Sequence, residues 1–180
     1  MIRWLLRRGI KQFSKRYDYD ATYMHQVTDA SLSAGIRLSA FPFISQYRGP
    51  PEALEVWAGA LLASTLDGDC GPCAQLVLDM ACEAGIDGTR LKACLEGHEE
   101  TAGDVGLGFK FARSAILGDL MTDDLRQEIE QKFGPRSAVS AAFAATSGRM
   151  YPVLKRALGH GATCSMLTIG GVDVPLRPAT

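Results

Sequence analysis

At 180 residues and 19.4 kDa, the chain has the size of one domain and the length to bury a core without disulfide or metal staples. Its 47% hydrophobic and 22% charged residues exclude a disordered, collagen-like or coiled-coil chain. The net charge of −1 hides an asymmetry, since Arg3, Arg7, Arg8, Lys11, Lys15 and Arg16 put +6 into the first sixteen residues and leave −7 on the rest.

Residues 1–16 read as a basic amphipathic helix. Its cations interrupt Ile2, Trp4, Leu5, Leu6, Ile10 and Phe13, so the apolar run of about 7–15 residues that a secretory signal needs is missing. The simpler use of this helix is to pack its apolar face on the domain with its charges in water. Six cations also suffice for a weak, salt-sensitive contact with an anionic membrane surface, whereas the acidic remainder disfavours nucleic acid. The longest nearly uncharged run, Val56 to Leu66, is too short to span a bilayer. Five cysteines without an export signal point to a reducing compartment, with the cytoplasm as the expectation.

Asp18 and Asp20 offer cap oxygens for a second helix through Tyr23, Val27, Leu32 and Ile36, which Phe41-Pro42-Phe43 interrupts. Pro50-Pro51-Glu52 announces a third, with Leu54, Trp57, Leu61 and Leu62 as its apolar stripe. Asp67-Gly68-Asp69 closes it and opens the next, where Leu76, Val77, Met80 and Ala81 recur at helical spacing up to Gly85. Further helices are predicted over Asp87–Glu96, Gly103–Leu117, Thr122–Lys132 and Pro135–Leu158. The Gly-x-x-Gly-x-Gly of residues 103–108 lacks the preceding strand of a phosphate cradle and reads as a flexible helix start. In the tail, residues 162–177, two β-type runs flank Gly170-Gly171, which predicts a small C-terminal β-hairpin lying on the helical body or pairing with another subunit. The fold class is therefore all-α with a small hairpin, in one domain.

The chemical signal is Asp69-Cys70-Gly71-Pro72-Cys73 leading into an apolar helix. Unpaired amides at a helix N-terminus stabilise a thiolate, so Cys70 is expected to be exposed and acidified, with Cys73 as its resolving or peroxide-attacking partner. Buried small hydrophobes are the plainer alternative for such a pair, and Pro72 argues against it by stiffening the turn. The tetrapeptide is also that of thioredoxins, but here it follows a helix-forming run, Ala58 to Ser64, and no proline lies between Pro72 and Pro135 to face the cysteines. Cys94-x-x-x-His98 with the cysteine pair makes a zinc inventory; the simpler reading puts Cys82 and Cys94 in the core and His98 in a solvated loop, with no metal and no cofactor. His25 and His160 have no partner spacing.

A helix running from Glu55-Val56-Trp57-Ala58 through Leu66-Asp67-Gly68-Asp69 into Cys70-Gly71-Pro72-Cys73, then Ala74 to Gly85, resembles the AhpD-like (alkylhydroperoxidase D / carboxymuconolactone decarboxylase) superfamily. The later segment Ala138 to Leu158 is similar to the second half of such domains. The resemblance covers about residues 18–160 and implies an all-α homo-oligomer whose cysteine pair reduces peroxides and is re-reduced by a dithiol partner protein. That family's pattern also has a histidine four residues after the second cysteine and a glutamate twelve before the first, a proton relay; here those positions hold Val77 and Ala58. With the relay absent, two functions are expected: a thiol-dependent peroxide-reducing or thiol-disulfide oxidoreductase, or a non-catalytic helical oligomer binding a small molecule or protein. Among the nearby acids, Asp67 and Asp69 read as caps and Asp79 as a surface residue. Glu55, within about 60° of the family's glutamate face, is the one expected to serve the thiols as proton carrier, with Cys70 and Cys73, in the catalytic set.

Overall fold

The computed structural model describes residues 1–161 and 166–175, and it is helical apart from one two-stranded hairpin. Helices α1 (Ile2–Tyr17), α2 (Thr22–Ala30), α3 (Leu32–Ala40) and α4 (Pro42–Ser45) precede a 3₁₀ turn at Pro51–Ala53. That turn runs into α5 (Leu54–Asp67), which is followed by α6 (Gly71–Glu83) and α7 (Gly88–Leu95). Then come α8 (Gly103–Leu117), α9 (Met121–Phe133), α10 (Pro135–Ser147), α11 (Met150–Ala157) and the strands β1 (Met166–Ile169) and β2 (Val172–Pro175). Among the described residues no helix is long and apolar enough to cross a membrane.

The organising element is α5. Every residue from Val56 to Thr65 is buried, so the stripe expected from Leu54, Trp57, Leu61 and Leu62 is instead a helix covered on all sides, with α8, α10 and α6 packed around it. Small residues permit this. A Cβ added at Gly59 would lie 1.9 Å from the Val105 carbonyl oxygen, and one at Gly108 would lie 1.9 Å from that of Val56. Gly59 of α5 and Gly108 of α8 thus form the seam along which two backbones meet, while Gly106 packs on the Glu99 carbonyl, so these glycines are not the loose helix start that their spacing suggested.

Two predicted helices are each broken in two. Ser31 leaves the helical region, and its hydroxyl accepts a hydrogen bond from Ala34 N, starting α3 as an N-cap. The segment from Pro135 to Leu158 bends at Gly148-Arg149, where α10 and α11 reach α5. Ser64 Oγ donates to the Ala145 carbonyl at 2.6 Å and accepts from Arg149 N at 3.1 Å. These side chains satisfy backbone groups that the break leaves free.

The hairpin forms as the glycine pair predicted, with Gly170 and Gly171 both at positive φ and Ile169 opposite Val172. It lies on its own chain, against α6 and α7, with Leu167 and Val174 buried. Gln75 of α6 acts as one more strand edge: its Nε2 donates to Thr168 O at 2.8 Å and its Oε1 accepts from Thr168 N at 2.7 Å. The outer parts of the predicted strands, Thr163 to Ser165 and Leu176, fall outside the described residues, as does Cys164.

The apolar interior has two parts. The larger surrounds α5. A smaller one contains Tyr19, Tyr23, Cys70 and Cys73, flanked by Phe13 and Leu76, and brings the first two helices onto the start of α6.

Candidate functional site

The turn before α6 is held by two arginines of the last helical segment. Asp67 pairs with Arg149 at 2.6 Å and Asp69 with Arg156 at 3.5 Å, and Arg156 also donates to the Asp69 carbonyl at 3.0 Å. The acids therefore clamp α11 to the turn, where capping of α6 was expected. Asp69 itself takes φ of 52°, a left-handed residue that turns the chain into the helix.

Cys70 is the N-cap of α6 and Cys73 sits in its first turn. Both are free and buried, Cys70 at 6% exposure and Cys73 at 3%, so the expected exposure of Cys70 is not found. Their sulfurs are 2.6 Å apart and share a hydrogen bond. The hydrogen bond between the two sulfurs holds Cys70 below the ordinary thiol range. Burial opposes this, whereas the Cys73 amide and the charges of Lys155 and Arg156 favour it. Cys73 is pushed up, first by its hydrogen bond with Cys70 and then by burial. The pair is therefore biased towards thiolate at Cys70, with Cys73 the harder of the two to ionise.

Three groups that sequence reasoning did not single out complete the site. The Tyr19 hydroxyl lies 3.4 Å from Cys73 Sγ and 3.4 Å from the Tyr23 hydroxyl. Burial pushes both phenols up, so they remain protonated donors. Lys155, only 2% exposed, holds its ammonium 5.0 Å from the centre of the Tyr19 ring and 5.9 Å from that of Tyr23. Its one available signal was its place, one helical turn before Gly159, in a segment otherwise read as the second half of the domain.

Glu55 is elsewhere. Its carboxylate is paired with Arg90 of α7, and it stands at the far end of α5, about 18 Å along the axis from Asp67. The expectation that it faces the thiols therefore fails: facing the same side of a helix does not shorten the distance along it. Asp79 accepts from Gln75 Nε2 at 2.8 Å, and Val77 and Ala58 are buried. The zinc inventory does not assemble, because Cys94 belongs to the larger core, apart from the cysteine pair, and His98 is exposed. Cys82, expected in the core, is also exposed.

Cys73 forms part of the wall of an apolar cavity of about 670 Å³, within the range of small-molecule sites. The cavity lies between α1 and α3 on one side and α5 and α6 on the other, with Leu6, Phe13, Leu38, Leu61, Leu76 and Val77 among its walls. Ser147, buried in the same wall, carries a hydroxyl without a hydrogen-bond partner among the described residues. Of the thiol pair, Cys73 lines this chamber and Cys70 does not. Comparison of the chain with protein-family models, curated proteins and solved structures finds no match to any of them.

Proposed function

We propose that Cys70 and Cys73 are a dithiol–disulfide couple and that the protein is a thiol-dependent oxidoreductase acting on a peroxide or disulfide. The observation that supports this reading most directly is the pair of sulfurs 2.6 Å apart at the start of α6. With a hydroperoxide, the Cys70 thiolate attacks one peroxide oxygen and the O–O bond breaks, giving a sulfenic acid and an alkoxide. The alkoxide takes the Cys73 proton, which leaves a Cys73 thiolate. That thiolate attacks the sulfenic sulfur and expels hydroxide, which is protonated to water. The sum is the thiolate–thiol pair plus hydroperoxide and one proton giving disulfide, alcohol and water. Two electrons then return from a dithiol partner protein.

Cys73 supplies the first proton, and Tyr19 relays the second from solvent to the expelled hydroxide, in the place of the missing histidine and glutamate. Its phenol touches Cys73 and can pass a proton towards the expelled oxygen. Lys155 is a positioning residue whose charge favours thiolate over thiol. The test is mass spectrometry of alkylated protein before and after one equivalent of peroxide. A loss of two protons confined to the peptide holding both cysteines is expected, and an unreactive pair would end this reading.

The cavity supports a second reading, in which the chain binds an apolar small molecule without chemistry. The double variant Cys70→Ser/Cys73→Ser separates the two. It abolishes turnover under the first and leaves the biological role intact under the second.

A further inference from the structure

Helix α1 carries two unlike faces. Leu6, Ile10, Phe13 and Tyr17 turn towards the cavity, yet no residue of the helix is fully buried. The opposite face gathers Arg8, Lys11 and Lys15 around Trp4, which is 58% exposed and has the Arg8 guanidinium 5.5 Å from its ring centre. Arg7 and Arg16 are tied to Asp29 and Glu83. Arg3, Arg8, Lys11 and Lys15 pair with no carboxylate among the described residues, and the first sixteen residues contain no acid at all.

The apolar rim continues this face. Ile2 and Leu5 stand half exposed at the helix start, and Leu5 also lines the cavity. On the facing lip Pro42 lines the cavity and its neighbour Phe43 is 86% exposed. A tryptophan set among cations, with aliphatic side chains at the same level, is how a helix meets a headgroup layer. A folded acidic partner or a nucleic acid would answer the charge but not the exposed Trp4 or the half-exposed Ile2 and Leu5 of the same helix start.

We propose that α1 is a docking surface for an anionic lipid bilayer, with Trp4 at the interface. The cations attract the charged headgroups, while Trp4 and the half-exposed Leu5 enter the boundary below them. This docking is independent of the redox reading, since neither cysteine belongs to the surface.

The experiment is titration of the full chain with vesicles of phosphatidylcholine alone and of phosphatidylcholine mixed with phosphatidylserine. Trp57 is 1% exposed, so a change in tryptophan emission reports Trp4. A blue shift is expected with the anionic vesicles only, and it is expected to fade at high salt. Each basic charge near the surface is worth about fivefold in partitioning, so Lys11→Glu/Lys15→Glu is expected to weaken binding by more than tenfold with unchanged circular dichroism. Cys70→Ser/Cys73→Ser is expected to bind as the parent does. Equal binding to both vesicle types, no binding to either, or a self-associated chain that Lys11→Glu/Lys15→Glu converts to monomer would each overturn the proposal.

Discussion

The cysteine pair divides its charge unevenly because its two members sit at different depths in the same helix start. Cys70 caps the helix and meets free amides, whereas Cys73 is tucked beneath Tyr19. A thiol held below its ordinary value of about 8.5 binds fewer protons when folded than when unfolded. Its contribution to stability is therefore complete above that ordinary value and is lost as pH falls through the lower, folded one. Cys73, held higher, works the other way and lowers stability as pH rises beyond about 8.5. Ultraviolet titration of the reduced protein is expected to show thiolate forming at least about one unit below the ordinary value. Lys155→Met is expected to raise that midpoint while keeping the fold, since replacing a buried charge by an apolar chain of similar length is often neutral or stabilising. A midpoint unmoved by the substitution would remove Lys155 from the site.

Two further substitutions separate the proton carrier read from the sequence from the one that the geometry favours. Tyr19→Phe is expected to slow peroxide oxidation of the pair by about tenfold or more, at the low end of what a positioned acid supplies. Glu55→Gln is expected to leave the rate unchanged and to cost less than about 1 kcal/mol, because it loosens only a half-exposed ion pair with Arg90. Stopped-flow oxidation of the three proteins decides this, and a slow Glu55→Gln would return the relay to α5. The cysteines themselves were legible because Cys-x-x-Cys followed by a helical period is a local pattern. Tyr19 and Lys155 were not: they come from segments 54 residues before Cys73 and 82 after it, and nothing in their own neighbourhoods marks them.

At the scale of elements, the places where the chain bends depend on what the helices meet. Proline before Glu52 and the Gly170-Gly171 pair act locally, so the start of the central helix segment and the hairpin could be read directly. The break at Gly148 could not be read this way, because its capping groups are Ser64 and Thr65 of a helix 83 residues earlier. Glycine makes the same point. Gly108 looks like a helix weakener but serves close packing, with the Val56 carbonyl where its Cβ would be. Gly108→Ala is expected to destabilise by about 3 kcal/mol or more, the cost of forcing two backbones apart, lowering the thermal midpoint by about 6–12 °C. Gly9, in α1, has nothing within 4 Å of such a Cβ. There the same substitution is expected to add helix and stabilise by about 0.5–1 kcal/mol. Calorimetry that gave both variants the same sign would contradict this account of the α5–α8 seam.

On the scale of the whole molecule, the division of the interior into two parts gives the chain both its stability and its chamber. The larger core closes around α5, so the N-terminal helices are not needed to complete it. They cover only the smaller cluster, and the space they leave beside it is the cavity. Its walls are apolar while its one thiol and the unpartnered Ser147 hydroxyl lie among them, an arrangement that favours a ligand with a hydrocarbon body and one polar end. Val77, at the position where a relay histidine was looked for, lines this space. Decanol is therefore expected to raise the thermal midpoint of the parent protein. A ligand at about one hundred times its dissociation constant adds about 2.7 kcal/mol, which for a chain of this length is about 5–10 °C. Val77→Phe places a ring where the ligand body would lie, so it is expected to abolish the decanol shift while leaving the midpoint of the free protein within a few degrees of the parent. If decanol stabilised Val77→Phe as much as the parent, the ligand would be bound elsewhere and the chamber would have no role in recognition.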